Sequence, residues 1–267
     1  GASNSLDLPR ITKRHDEIGH LAQSVEAMTE ALFERFVANE SFAADVAHEL
    51  KNPLTSIRSA VETAEMVQDD PVAREKLRKV IAQDVKRLDR LITDISNASR
   101  LEAEITRIPT ERVVISRVIR DVAQTYDGLE HQRSVTVAFV DATMDAGLSV
   151  RGREGPLGQV LRNLVDNARS FSPEGDQVTV TLQQGRQGPQ TTARILVEDN
   201  GPGIPEDKFE KIFERFYTDR PAGAAVGNNS GLGLSIVAQI VETHKGTVMA
   251  ENRESGGGRF TIELPAI

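Results

Sequence analysis

The chain has 267 residues, with 32 Lys and Arg against 40 Asp and Glu, a formal net charge of -8, no Trp and two Tyr, which leaves neither a basic patch nor a stacking platform for nucleic acid. The absence of cysteine excludes disulfides and thiolate metal sites. No apolar run approaches the roughly 18 residues of a bilayer span and no signal-peptide pattern opens the chain, so the polypeptide as it stands is expected to be soluble.

Gly1-Ala2-Ser3 reads as a cloning scar, so the natural protein is expected to begin upstream. Up to about residue 105 the pattern is helical and rich in Glu, Lys and Arg; beyond it, strands, glycines and helices alternate. Ile18, Leu21, Val25, Met28 and Leu32 recur at steps of three and four, the seam of a coiled coil. The next seam positions are Arg35 and Asn39, after which Phe42 and Val46 resume it. This predicts apolar layers meeting a second helix across a polar, weakly locked gap. The seam then slips by one residue through Leu50, Leu54, Ile57 and Val61. Asp69-Asp70-Pro71 predicts a break, with Asp as N-cap and Pro in the first helical position. A further helix carries Leu77, Ile81, Asp84 or Val85, Leu88, Leu91, Ile95 and Ala98. Two long helices joined so tightly must run antiparallel. Such a hairpin leaves apolar stripe on its outer sides, which dimerisation into a four-helix bundle would cover.

From Val113 onward the pattern predicts helix 116–128, strands 134–140 and 148–151, helix 154–171, and strands 176–184 and 193–198. A helical stretch 206–216, helix 231–244 and strands 246–252 and 258–264 follow. This order suggests an α/β sandwich with helices on one face of a mixed sheet. Residues 217–230 lack periodicity and read as a loop, either lid or disordered.

Four motifs carry chemistry. His48 lies two residues from Val46 and from Leu50 and so faces away from the apolar stripe, with Glu49 beside it and Asn52 one turn on. Pro53 offers no N–H to the Glu49 carbonyl, so a bend is expected just past the histidine. An exposed imidazole beside a carboxylate suits a nucleophile with Glu49 as base or orienting group, although a surface histidine on a polar face would look the same. Asn163 and Asn167 place two carboxamides on one helical face, able to meet a phosphate-bound Mg²⁺ or simply to sit in solvent. Asp199 ends a strand and precedes Asn200-Gly201-Pro202-Gly203, where its carboxylate can accept from an exocyclic amine such as adenine N6; a plain Asn-Gly turn is the alternative. Gly231-Leu232-Gly233 opens a helix whose bare N–H groups suit phosphate. No Gly-Lys-Ser/Thr follows, which excludes a Walker-type loop.

Together, in this order and spacing, these motifs resemble the sensor histidine kinases of two-component signalling. Asp16 to Met28 is similar to the second helix of a HAMP linker, Phe42 to Glu62 to the H-box and Asn163 to Pro173 to the N-box. Asp199 to Ile204 is similar to the G1 box, Ile212 to Tyr217 to the F-box and Gly231 to Val237 to the G2 box. The H-box wording further resembles alphaproteobacterial envelope-sensing kinases of the ChvG kind. The resemblance implies a dimerising helical hairpin followed by the Bergerat, or GHKL, ATP-binding fold shared with gyrase and Hsp90. Its expected domains are a partial HAMP and linker over 1–36, a dimerisation and phosphotransfer domain over 37–104 and a catalytic ATP-binding domain over 105–267.

The resemblance further implies that His48 is the phosphoacceptor, Glu49 its base, and Asn52 a residue orienting water for dephosphorylation of the partner. It makes Asn167 the main Mg²⁺ ligand with Asn163 beside it, Asp199 the adenine reader, and Phe171, Gly201, Gly203, Gly231, Leu232 and Gly233 further parts of the ATP pocket. The implied cofactors are ATP and Mg²⁺; the implied partners are a second copy and a response regulator. The implied location is the cytoplasmic part of an inner-membrane protein, anchored through upstream segments. Three positions depart from the family pattern: Ser170 where Lys or Arg is usual, with Arg169 one place early; Thr218 where Arg is frequent; and Arg259 where Thr is frequent. Rival readings are a nucleotide-holding scaffold acting mainly as a regulator phosphatase, and an ATP-driven clamp, which explains neither the hairpin nor the H-box. His244, just before Lys245-Gly246, is expected to act as a helix C-terminal cation.

Overall fold

The computed structural model describes residues 16–67, 70–107, 110–126, 135–143, 147–217 and 231–267. Helix α1 runs Glu17–Met66 and begins where the Asp16 carboxylate accepts from Gly19 N–H at 3.1 Å. It is one continuous helix of 50 residues, so the two helices expected to meet near Arg35 and Asn39 are in fact one. Polar seam residues cost packing but break no backbone hydrogen bond, and helix propensity carries the chain across them. Pro53 also lies within α1: it forfeits one N–H donor, which a helix of this length absorbs. After the break, Asp70 accepts from the N–H groups of Val72 and Ala73, 3.0 Å each, and helix α2 starts at Pro71 and runs to Arg107. Asp69 lies outside the described residues. The chain divides into two units between Leu77 and Arg78, a boundary inside α2.

Within the first unit Pro53 and Ala60 are buried, whereas Leu54 and Val61, expected in the seam, are 55% and 44% exposed. Ile18, Leu21, Met28 and Leu32 are likewise exposed. These residues form stripes that a single chain does not cover. In the second unit, Val85 and Ile92 of α2 are exposed at a seven-residue spacing while Leu91 is fully buried.

The rest of the second unit is a layered α/β structure. Strands β1 (Glu111–Val114) and β3 (Ser149–Gly152) pair antiparallel as a separate ribbon. The main sheet has five strands: β2 (Thr136–Asp141), β4 (Gln177–Gln187), β5 (Gln190–Glu198), β6 (Thr247–Asn252) and β7 (Gly258–Pro265). Their order is β2-β4-β5-β7-β6, parallel between β2 and β4 and antiparallel elsewhere, the expected mixed sheet. Helices α3 (Ile115–Tyr126), α4 (Glu154–Phe171) and α5 (Gly233–Thr243) cover one face. Ile115 and Val118 of α3, Leu157 and Leu161 of α4 and Val241 of α5 line one small apolar cavity with Ile195, Ile262 and Leu264 of the sheet. Each such side chain contributes about 1.5–3 kcal/mol by leaving water. The alternation of β5 separates the faces: Ala193, Ile195 and Val197 are buried, while Arg194 pairs with Glu263 at 2.6 Å.

Two expectations change. The stretch 206–216 is not a helix but two single 3-10 turns, Glu206–Lys208 and Lys211–Phe213. So short a segment does not repay helix nucleation, and Phe213 is instead held edge-on against Phe260 of β7, 6.3 Å between centroids. Strand β1, four residues with one buried position, was too short to announce itself by alternation.

His244 also departs from the expected helix C-terminal cation. Its side chain is only 8% exposed. Nε2 accepts from Arg153 N–H at 3.2 Å, so Nδ1 carries the proton and donates to the Ile240 carbonyl at 2.7 Å. The ring is therefore neutral, joining the end of α5 to the start of α4, and Gly152 leaves room for it: a Cβ there would lie 2.6 Å from His244 Cδ2. Burial, with the nearby Arg153 charge, holds its pKa below the ordinary value. A folded-state pKa below the unfolded one means the unfolded chain binds the proton first, so His244 costs no stability above about pH 6.5 and an increasing amount as pH falls below it. His244→Gln should lower stability by about 1–3 kcal/mol at pH 7.5. Urea unfolding at pH 7.5 and 5.5 should show the wild type losing more on acidification than the variant.

Candidate functional site

The second unit brings three of the four motifs together. Asn163, Asn167 and Phe171 follow one another on α4 at a helical repeat. The Asn163 amide donates to the Gly233 carbonyl at 3.0 Å, which fixes the start of α5 against α4. The turn after β5 packs on the end of α4, where a Cβ on Gly201 would meet the Phe171 carbonyl at 2.9 Å. Asn163 is thus partly committed to scaffolding. Asn167 is half-buried and its carboxamide has no hydrogen-bond partner among the described residues, the condition of a side chain free to take a ligand. The Leu232 side chain is buried, and its carbonyl accepts from Ile236 N–H at 3.0 Å and from the Ser235 hydroxyl at 2.9 Å.

Asp199 is 5% exposed. Its Oδ1 accepts from Gly201 N–H at 2.8 Å and Gly258 N–H at 3.1 Å. Among the described residues no donor reaches Oδ2. Burial pushes the carboxyl above the ordinary Asp value, and the two N–H groups and the Arg253 charge oppose that rise. One oxygen is anchored and the other is offered, in a buried position. Such an oxygen suits an amine N–H from a ligand, because an unmet buried acceptor is costly.

The supports of this turn come from the β6–β7 hairpin, which sequence reasoning did not select. Asn252 exchanges two hydrogen bonds of 2.7 Å with Ile204, and Arg253 donates to the Asp199 carbonyl at 2.8 Å. Gly257, at φ 87°, runs so close that a Cβ would sit 2.0 Å from the Asp199 carbonyl oxygen. The run Gly256-Gly257-Gly258 before a strand was the available signal, since consecutive glycines mark close backbone approach.

Near the end of α4, Arg169 does not replace the cation missing at Ser170. Its guanidinium lies 4.9 Å from the Tyr126 ring centroid and its Nε donates to the Val135 carbonyl, so it serves the α3 side of the layer. Ser170 turns back onto the Asn167 carbonyl at 2.8 Å. Arg259 binds Glu198 and Glu251 at 2.8 and 3.1 Å and belongs to the sheet. Phe216 donates its N–H to the Gly231 carbonyl at 2.9 Å, both residues having positive φ, so positions 216 and 231 are held together. Residues 218–230, including Thr218 and most of the expected lid, lie outside the described residues. Gly203, also at positive φ, sits against Asn252.

The fourth motif is in the first unit. His48 and Asn52 are exposed on α1 and Glu49 is half-buried between them. The i, i+4 spacing places His48 and Asn52 on one helical face, as the sequence implied. Among the described residues no group of three or more His, Asp or Glu side chains is placed to hold a metal ion.

Residues 38–104 match the family model of the His Kinase A (phospho-acceptor) domain, and residues 152–267 match that of the histidine kinase-, DNA gyrase B-, and HSP90-like ATPase. The chain is 45% identical over 276 residues to sensor protein ChvG of Rhizobium meliloti, covering 100% of this chain and 47% of that protein. The solved structure of histidine kinase ThkA in complex with response regulator protein TrrA aligns with a TM-score of 0.67 at 29% identity, covering 94% of this chain and 68% of that one. The nucleotide-free catalytic domain of ThkA aligns with a TM-score of 0.50 at 30% identity, covering 59% of this chain and 96% of that one. The chain spans about half the length of the curated relatives it matches.

The backbone approach at Gly257 gives a direct check on how rigidly the Asp199 turn is held. Gly257→Ala should destabilise the second unit by about 2–4 kcal/mol, through the clash and the positive φ. Gly155→Ala, where nothing lies within 4 Å of the new methyl, should change stability by less than about 1 kcal/mol. Thermal denaturation of the two variants beside the wild type measures both.

Proposed function

This chain belongs to the sensor histidine kinases, and from that premise we propose that it transfers the γ-phosphoryl of ATP to His48 and then to an aspartate of a response regulator. The observation that carries the nucleotide half is the buried Asp199 carboxylate, one oxygen held by two backbone N–H groups and the other without a donor among the described residues. That oxygen accepts from the adenine amine. Asn167 would hold Mg²⁺ with Asn163 beside it, and Mg²⁺ when bound neutralises phosphate charge. The bare backbone of Gly231 and Gly233 and the start of α5 receive the phosphates.

The transfer half rests on His48. A lone pair of the neutral imidazole attacks the γ-phosphorus, the bond to the ADP oxygen breaks, and the imidazole proton passes to a base for which Glu49 is the neighbouring carboxylate. Asn52, on the same face, is suited to orient water when the phosphorylated regulator is hydrolysed. The exposed stripes at Leu54 and Val61 and at Val85 and Ile92 support a homodimer in which a second copy covers them. We place the chain as the cytoplasmic portion of a membrane-anchored protein, following the family; among the described residues no helix is long and apolar enough to cross a membrane. One observation favours the rival reading of a nucleotide-holding scaffold that mainly dephosphorylates its regulator. Arg169 is committed to Tyr126 and Val135, which leaves the N-box without a cation for phosphate.

Incubation with radiolabelled Mg-ATP separates the two. The kinase reading expects an acid-labile, base-stable phosphoryl on the wild type and none on His48→Ala, whose ATP affinity stays unchanged because the pocket belongs to the other unit. Labelling of that variant at the wild-type level would remove His48 as phosphoacceptor, and an unlabelled wild type that dephosphorylates a regulator would favour the scaffold. For Asn167→Ala, Mg-ATP affinity should fall about tenfold or more, equivalent to about 1.4 kcal/mol, while metal-free ATP binding changes little. Calorimetry with Mg²⁺ and with a chelator makes that comparison, and equal losses would remove Asn167 as a ligand.

A further inference from the structure

Arg253 sits at the start of the β6–β7 turn with its side chain 23% exposed. Its Nη1 donates to the Asp199 carbonyl at 2.8 Å and to Asn200 Oδ1 at 2.6 Å, and its Nε lies 3.4 Å from Glu198 Oε1. One planar guanidinium therefore grips three consecutive residues, 198 to 200, across a gap of more than fifty positions in the chain. The hold extends outward, because the Asn200 amide donates to Asp176 Oδ1 at 2.8 Å and Glu198 also receives Arg259 at 2.8 Å. The turn that carries Arg253 is itself closed: its N–H donates to the Gly257 carbonyl and its carbonyl accepts from Gly256, 3.0 Å each.

The consequence concerns direction. The Asp199 backbone is fixed at both ends, its N–H donating to the Gly258 carbonyl at 3.0 Å and its carbonyl held by Arg253. Its carboxylate is then steered by the N–H groups of Gly201 and Gly258 so that Oδ1 is occupied and Oδ2 remains. Without the guanidinium the carbonyl of Asp199 and the amide oxygen of Asn200 lose their donor, and the carboxylate loses a nearby positive charge that opposes its burial. Lysine substitutes only in part, since a single ammonium on a flexible stem lacks the rigid fork with which the guanidinium reaches three acceptors.

We propose that Arg253 is the positioning residue that aims the Asp199 carboxylate, and thereby sets the preference of this pocket for a 6-amino purine over a 6-oxo purine. The inference rests on the reading of Asp199 as the adenine acceptor. A side chain that merely stabilised the fold would affect all nucleotides alike, whereas one that aims Oδ2 affects those bearing the amine. Inosine triphosphate is the matched probe, because it keeps the ribose and phosphates of ATP and replaces the 6-amino group by a carbonyl, with N1 becoming an N–H.

The test is calorimetric titration of ATP and inosine triphosphate into the full chain as wild type, Asp199→Asn, Arg253→Ala and Arg253→Lys, with melting temperatures recorded for each. The wild type should bind ATP about tenfold or more tightly than inosine triphosphate, the scale of one charge-assisted hydrogen bond. Arg253→Ala should collapse that ratio toward the Asp199→Asn value, with the loss falling on ATP, and Arg253→Lys should recover only part. An unchanged ratio in Arg253→Ala, or equal losses for both nucleotides, overturns the inference. A wild type without preference, or Asp199→Asn retaining the full preference, overturns the reading of Asp199 itself and the inference with it. Should Arg253→Ala fail to fold, Arg253→Lys decides alone, an undiminished ratio counting against.

Discussion

A carboxylate taken out of water must be met by donors or give up its charge, and the second unit is organised around meeting that demand at Asp199. The backbone of Gly201 supplies one donor from the following turn and Gly258 supplies the other from the beginning of β7. Glycine is needed for the approach itself, since at Gly257 any side chain would occupy the space of the Asp199 carbonyl. The antiparallel pairing of β5 with β7 places Glu198 opposite Arg259 and so delivers the hairpin to the turn. Sheet register and site geometry are one constraint.

The layer of helices answers a different requirement. α4 carries apolar residues toward the sheet and carboxamides toward the opposite rim, so the burial that holds it in place also orients Asn163 and Asn167. Asn163 then ties α5 to α4, and neutral His244 ties the far end of α5 back to the start of α4. Both are polar groups used as struts, each with its hydrogen-bonding capacity turned on a backbone partner. Arg169 is used in the same way beside Tyr126, so a residue that looks available for phosphate in the sequence has another occupation.

The first unit works by exposure where the second works by burial. A helix of 50 residues cannot be stabilised by propensity alone over its apolar positions, and α1 leaves Leu21, Met28, Leu32 and Leu54 in contact with solvent. Such a surface is consistent with the second copy proposed for it, while His48 and Asn52 remain on an accessible face. The histidine needs little from its surroundings beyond access, in contrast to Asp199, which needs a closed one.

Much of this was legible in the sequence because it is encoded by near neighbours. The period of α4 and the alternation of β5 follow from side-chain polarity over a few residues, and α4 was located to its observed ends. His48 and Asn52 share a face because a helix repeats every 3.6 residues, and Asp70 caps α2 because a carboxylate two residues before an N–H reaches it. The roles of His244, Arg169, Asn252 and Arg253 were not legible, and each is defined by a partner dozens of residues away. The family pattern marked Asp199 but was silent on what holds it. That is decided by the crossover of β5, β7 and β6, which sets which guanidinium and which bare glycine backbone arrive at the turn. A local pattern specifies what a side chain offers; only tertiary packing specifies what receives it, because desolvation and hydrogen-bond geometry depend on neighbours the chain order does not contain.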